Sequence, residues 1–183
     1  HQGGFYRFNY DITELLNLGK KNQLEVKVAK ESANRSINAA ERKADWWLFG
    51  GIYRPVWLEV LPQIHMEHFV LNADHQGKLQ AAVDMAGDAK GHEIIVSVRS
   101  LKDGKTVYTS NGQTTITHSI SNSDKEQMIS GEWASIIPWS TENPNLYVAK
   151  LELKNPEGKI VQTRETRIGF RTVEFFPQDG VYL

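Results

Sequence analysis

Asp45-Trp46-Trp47-Leu48-Phe49-Gly50-Gly51-Ile52-Tyr53-Arg54-Pro55-Val56-Trp57-Leu58-Glu59 holds three of the chain's five tryptophans, an acid at its front and a glycine pair in its middle. Beyond the glycines, Ile52, Arg54, Val56 and Leu58 alternate with Tyr53, Trp57 and Glu59, which is the period of a strand. Pro55 cannot donate to a ladder and points to an edge strand or a bulge. The stretch reads as an aromatic loop carrying Asp45, a Gly-Gly turn, then a strand. Two interpretations stand side by side. It is a core strand among aromatic neighbours, or a loop that holds a sugar, with hydroxyls bonded to the carboxylate and apolar C–H faces stacked on indole rings.

Working outward, the chain of 183 residues has room for one large or two small domains. Apolar residues make up 40% and charged residues 23%, a balance that buries a sizeable core. The formal net charge of −1 supplies no global field for nucleic acid or an anionic membrane. The absence of cysteine excludes disulfides, thiolate zinc sites and cysteine nucleophiles, and leaves the compartment open. No apolar run approaches the length of a membrane span.

On the N-terminal side, His1-Gln2-Gly3-Gly4-Phe5 leads as a loop into a strand, and Asp11 or Thr13 is placed to cap a short turn at Glu14-Leu15-Leu16. Residues 24–29 alternate as a strand, and the polar, aperiodic residues 31–42 read as a long loop. After Pro62 the texture becomes a series of short strands, at residues 64–71, 78–85, 92–101, 106–109 and 113–118, with an uncertain polar stretch at 121–130. Asp103-Gly104 and Asn111-Gly112 are hairpin signals, because two-residue turns need positive φ. A further strand is expected at 133–137, and a long hairpin joins 146–154 to 160–171 across Asn155-Pro156-Glu157-Gly158. Strands at this spacing indicate an antiparallel sandwich beginning near Pro62.

Catalytic signatures are sparse. The six histidines are scattered, and in an unbroken strand His65 and His68 point to opposite faces, which disfavours a shared metal. No G-x-S-x-G elbow and no phosphate-cradling glycine loop is present. Asn34-Arg35-Ser36 fits an N-glycosylation acceptor, a triplet that also arises by chance. The residues alone favour a binding or scaffold segment.

Several motifs together carry a family resemblance. Phe49 through Glu59 resembles the end of the sugar-binding jelly-roll domain of glycoside hydrolase family 2, and His1-Gln2-Gly3-Gly4-Phe5 with Asp11-Ile12-Thr13 resembles an earlier signature of it. Asn22-Gln23-Leu24-Glu25-Val26-Lys27-Val28 is similar to its next strand. Pro138-Trp139-Ser140-Thr141-Glu142-Asn143-Pro144-Asn145-Leu146-Tyr147 resembles the immunoglobulin-like second domain. Arg167-Ile168-Gly169-Phe170-Arg171-Thr172-Val173-Glu174 resembles the strand that hands over to the catalytic barrel. The pattern is closest to the β-galactosidases and is shared by β-glucuronidases and β-mannosidases.

The resemblance implies an all-β fold. Residues 1–61 would be the last part of a jelly roll, residues 62–173 an immunoglobulin-like sandwich, and residues 174–183 the start of a linker into a barrel that the chain lacks. In this family two glutamates on that barrel hydrolyse the glycoside, one of them preceded by Asn. No Asn-Glu pair occurs here, so the chain is expected to contain no catalytic residue and to be inactive alone. One functional residue carries over. An aspartate six positions before the glycine of the Gly-Ile-aromatic-Arg motif reaches into the barrel's sugar site, and counting back from Gly51 gives Asp45. Trp46 follows it as the expected aromatic, and Trp47 is a weaker candidate for the same pocket. Arg54 would hold structure through a charge-assisted hydrogen bond, and His1 carries no assignable role. The implied partners are a carbohydrate, the barrel of the same parent chain and a further copy. The implied cofactor is at most a monovalent or divalent cation in the parent, with Asp45 as its one candidate ligand. The competing class is a stand-alone glycan- or protein-binding sandwich, and a third is pure scaffold.

Overall fold

The computed structural model describes residues 1–4, 7–43 and 50–182. The chain divides into two compact units, His1–Leu58 and Glu59–Leu183. It is all-β in character, with antiparallel sheets and, among the described residues, one short α-helix.

The first unit has little regular structure. A 3-10 turn spans Thr13–Leu15, and Asp11 Oδ1 accepts the Thr13 N–H at 2.9 Å to open it. Helix α1, Arg35–Arg42, occupies residues whose polarity reads as loop. Its start is set by Asn34, whose side-chain oxygen accepts the N–H groups of Ser36 and Ile37, two of the donors that a helix N-terminus leaves unpaired. The strands expected at 24–29 and 52–59 are not laddered among the described residues. Their apolar faces stand open, with Leu24, Val26 and Val28 exposed by 76%, 55% and 48%. A strand forms only where a partner takes its N–H and C=O groups, and the described residues of this unit supply none.

The second unit is a two-sheet sandwich. Strands β1 (His65–Ala73) and β2 (Lys78–Ala86) form an antiparallel hairpin. Strands β3 (Glu93–Ser100), β4 (Thr106–Val107) and β5 (Thr115–Ser119) belong to the opposite sheet, after which β6 (Glu126–Glu132) returns to pair with β2. Strands β7 (Tyr147–Lys154) and β8 (Ile160–Ile168) complete the second sheet beside β3. The order is therefore β1-β2-β6 against β4/β5-β3-β7-β8, an immunoglobulin-like arrangement. A separate hairpin pairs β9 (Glu174–Phe176) with β10 (Gly180–Tyr182).

Inward residues of the two sheets make one core. Met66, Leu79, Ala81, Val83, Met85 and Ile129 meet Ile94, Val96, Val98, Leu151 and Leu153, with Trp133, Tyr147 and Phe170 filling the end. Full burial of each large side chain contributes about 1.5–3 kcal/mol. Tyr147 forms a tyrosine corner, since its hydroxyl accepts the Ile137 N–H at 2.7 Å and donates to the Ile137 carbonyl at 3.3 Å. Two buried glutamines lock the sandwich edges. Gln162 on β8 accepts the Met66 N–H at 2.6 Å and donates to the Met66 carbonyl at 3.3 Å. Gln127 on β6 donates to the Asp124 carbonyl at 2.6 Å, so its oxygen accepts from His118 Nε2 of β5 at 3.1 Å.

Local expectations are corrected at four places. Residues 133–137 are not a strand; Trp133 makes a single bridge with Thr109. The Asn111-Gly112 turn does not join a hairpin. Strands β4 and β5 both run along the same edge of β3, and the intervening residues swing out so that Tyr108 and Ser110 bond to Ala134 and Glu132 of the other sheet. The uncertain stretch at 121–130 contains most of β6. A bulge between Met66 and His68 makes Glu67 the extra residue, so His65 and His68 both alternate with inward Met66 and Phe69 and share the outer face. Gly77 in the β1–β2 turn has φ +98°, and a Cβ there would overlap the Trp133 carbonyl oxygen.

Candidate functional site

Asp45, Trp46 and Trp47 lie outside the described residues. The described residues that border them are Lys43 and Gly50. On the N-terminal flank, α1 is held at its far end by Arg42, whose guanidinium lies 3.5 Å from both the Lys30 carbonyl oxygen and the Glu31 carboxylate. On the C-terminal flank, Gly50 rests against the same residue, since a Cβ there would meet the Lys30 side-chain carbons at 3.6–3.7 Å. Lys30 therefore meets both flanks of the stretch that carries Asp45. Helix α1 is tied in turn to the N-terminal loop, because Glu41 Oε1 accepts the Gly4 N–H at 2.6 Å. Gly3 is required there, with φ +101° and its would-be Cβ at 3.3 Å from Glu41 Oε1.

Beyond Gly50, Gly51 turns the chain at φ +97°. Arg54 lies over the neighbouring Tyr53 ring at 5.6 Å from its centroid, a cation–π contact. Trp57 receives Arg7 at 5.1 Å, and His1 stacks on Phe8 at 4.0 Å. The geometry thus assigns structural contacts to Arg54 and His1. Sequence reasoning did not find Lys30 or Glu41. Lys30 sits in a polar run with no periodic signal, whereas the Gly3-Gly4 pair is a readable sign of close approach.

Among the described residues no group of three or more His, Cys, Asp or Glu side chains is placed to hold a metal. His65 takes the Pro62 carbonyl oxygen as its partner at 2.8 Å, and His75 lies 2.7 Å from the Thr172 hydroxyl. Asp45, the one candidate cation ligand, lies outside the described residues. Carboxylates with lowered pKa are surface groups whose causes are local. Glu67 is held below the ordinary value by a hydrogen bond and then the charge of Lys125, at 2.8 Å. Asp88 is lowered by the Lys90 N–H and the Ser123 hydroxyl.

Comparison with known proteins supplies the family. The family profile for glycosyl hydrolases family 2 matches residues 64–171, the whole sandwich of the second unit. A provisionally named beta-glucuronidase of Formosa agariphila is 28% identical over 100% of this chain and 21% of its own length. A beta-galactosidase of Bifidobacterium adolescentis is 28% identical over 93% of this chain and 17% of its own length. Among solved structures, a Bacteroides uniformis beta-glucuronidase covalently bound to a cyclophellitol-6-carboxylate aziridine superposes with a TM-score of 0.66 and 22% identity, covering 94% of this chain and 22% of that one. This chain spans about a fifth of the length of these relatives. The profile match over more than half of the residues places the chain in glycosyl hydrolase family 2.

Proposed function

We propose that this chain is the non-catalytic, sugar-site-completing region of a retaining family 2 glycosidase of the β-galactosidase type. In this reading residues 1–61 end a jelly roll and residues 62–173 form the spacing sandwich. Residues 174–183 lead toward a barrel bearing the two glutamates. The single observation that carries it is the spacing of Asp45, six residues before Gly51, in a chain whose second unit matches the family. Retaining hydrolysis needs two carboxylates about 5–5.5 Å apart, one as acid/base and one as nucleophile. Asp45 would do neither. Its carboxylate accepts hydrogen bonds from hydroxyls of the terminal sugar, while Trp46, and more weakly Trp47, presents an indole face to the sugar's C–H groups. Those contacts hold the anomeric carbon against the glutamates, a positioning contribution rather than proton transfer.

In the full-length enzyme, Asp45→Asn should lower kcat/KM for an aryl β-galactoside by about 10- to 1000-fold, the loss of a contact worth about 1.4–4 kcal/mol. Kinetics equal to wild type would overturn the role. The second reading, a β-glucuronidase, draws on the relatives of that name. Parallel assays with aryl β-galactoside, β-glucuronide and β-mannoside decide between them. The 183-residue chain alone should release no aglycone from any of the three. Turnover that copurifies with it and survives repurification would overturn the assignment as an accessory region.

A further inference from the structure

We propose that Asn111 is a site of spontaneous covalent modification, deamidation through a cyclic imide, and that the tight turn it occupies gates that reaction. Asn111 is the chain's one asparagine followed by glycine. Glycine has no side chain to hinder attack by its own backbone nitrogen, so this pair is the most reactive asparagine context in the chain. In the reaction the Gly112 nitrogen loses its proton to hydroxide and bonds to Asn111 Cγ. The bond from Cγ to the side-chain nitrogen breaks, and ammonia leaves. Water then opens the five-membered imide at either carbonyl, leaving an aspartate or an isoaspartate at position 111. Both residues are exposed, so water and hydroxide reach them.

The turn sets the barrier. The Gly112 N–H donates to the Thr109 carbonyl at 2.8 Å, and neither Ser110 nor Asn111 has positive φ. That combination is a type I turn, whose third residue has ψ of about 0°. Closing the imide needs the Gly112 nitrogen to eclipse Asn111 Cβ about the Cα–C bond, whereas in this turn it eclipses Asn111's own nitrogen. The carboxamide is tethered as well. Its Oδ1 accepts from the Thr109 hydroxyl and, at 3.4 Å, from the Gln113 N–H, while Nδ2 donates to Gln113 Oε1 at 3.3 Å. Nucleophile and target are thus both held in hydrogen bonds until the 109–113 turn opens. An isoaspartate routes the main chain through Cβ and Cγ, one carbon longer, so the Thr109–Gly112 bond cannot re-form in register. The flanks of the turn cross between the sheets, with the Ser110 N–H on the Glu132 carbonyl at 2.9 Å and the Ala134 N–H on the Tyr108 carbonyl at 2.8 Å. Modification therefore loosens that crossover as well as adding a negative charge.

The test incubates the 183-residue chain at mildly alkaline pH, folded and in urea, and follows each asparagine by peptide mapping for the amide-to-acid mass change and for isoaspartate. In urea, position 111 should react faster than any other asparagine, and Gly112→Ala should suppress it. In the folded chain the same position should react at least about tenfold more slowly, because the turn's hydrogen bonds must first be broken. Thr109→Val and Gln113→Ala each remove tethers, and each should raise the folded-state rate about three- to tenfold with the urea rate unchanged. Should one of these variants fail to fold, the other still decides. The isoaspartate product, separated by ion exchange, should melt at a lower temperature than Asn111→Asp, since only the former lengthens the main chain. A faster reaction at another asparagine in urea would overturn the site. Equal rates with and without urea, or folded-state rates that neither tether variant changes, would overturn the gate. Equal Tm values for the isoaspartate product and Asn111→Asp would overturn the coupling to the crossover.

Discussion

Glu67 shows how a single surplus residue is put to use. The bulge pushes it out of register onto the outer face, where Lys125 meets it at 2.8 Å. The hydrogen bond and charge of Lys125 depress the Glu67 pKa, and Glu67 raises that of Lys125 in return. A carboxylate that releases its proton more readily when folded than when unfolded stabilises the fold above its ordinary pKa. That stabilisation is lost as pH falls through the depressed folded value. Glu67→Gln should therefore lower Tm slightly at pH 7. The wild-type and variant curves should converge once the pH lies well below the ordinary carboxylate value. Both groups are solvent-facing, so the neutral-pH difference should also shrink in high salt. A Tm gap that persists unchanged in acid would mean that Glu67 acts through packing and not through charge.

At the scale of elements, β6 shows why a strand can hide. Its inward positions are Gln127, Ile129 and Gly131, of which only Ile129 is a large apolar residue, while Met128 faces out. Hydrophobic alternation is thus almost inverted, and Gln127 is buried only because its amide is bonded at both ends. Gln127→Leu would leave His118 and the Asp124 carbonyl without that partner, at a cost of about 1–3 kcal/mol. Urea unfolding should show it as a lower midpoint with the same slope, and an unchanged midpoint would mean water replaces the amide at no cost. The β2, β3 and β7 strands were legible because their alternation reports a real two-faced environment, and β8 through the Asn155-Pro156-Glu157-Gly158 turn that joins it to β7. Helix α1 was read as loop, because its one signal is Asn34, a capping residue in a polar run. The strands expected at 24–29 and 52–59 have the right alternation, but pattern specifies a face and does not supply a partner. The role proposed for Asp45 rests on motif spacing alone, and the inward setting of Arg164 was not legible at all. Nothing in sequence announces that a charged residue of β8 points inward until the register with β7 is known.

At the scale of the whole molecule, burial is divided unequally between the two units. Every described residue of the core belongs to the second unit, and none of the described residues of the first is buried. Apolar burial is the main favourable term in folding, and opening free energies follow it locally. The second unit should therefore set the cooperative transition of the chain. Hydrogen exchange at pH 7 should show slow amides confined to strands β1–β3 and β6–β8, and exchange within minutes across residues 7–30 and 50–58. In the parent enzyme proposed above the same N-terminal residues should become protected, because the proposed role of Asp45 requires it to be held in place while substrate is bound. Slow exchange at 24–29 in the 183-residue chain would mean that the first unit is laddered in solution and needs no further polypeptide. Fast exchange there in the full-length enzyme would instead remove the rigid support that a positioning aspartate needs, and with it the proposed contribution to the sugar site.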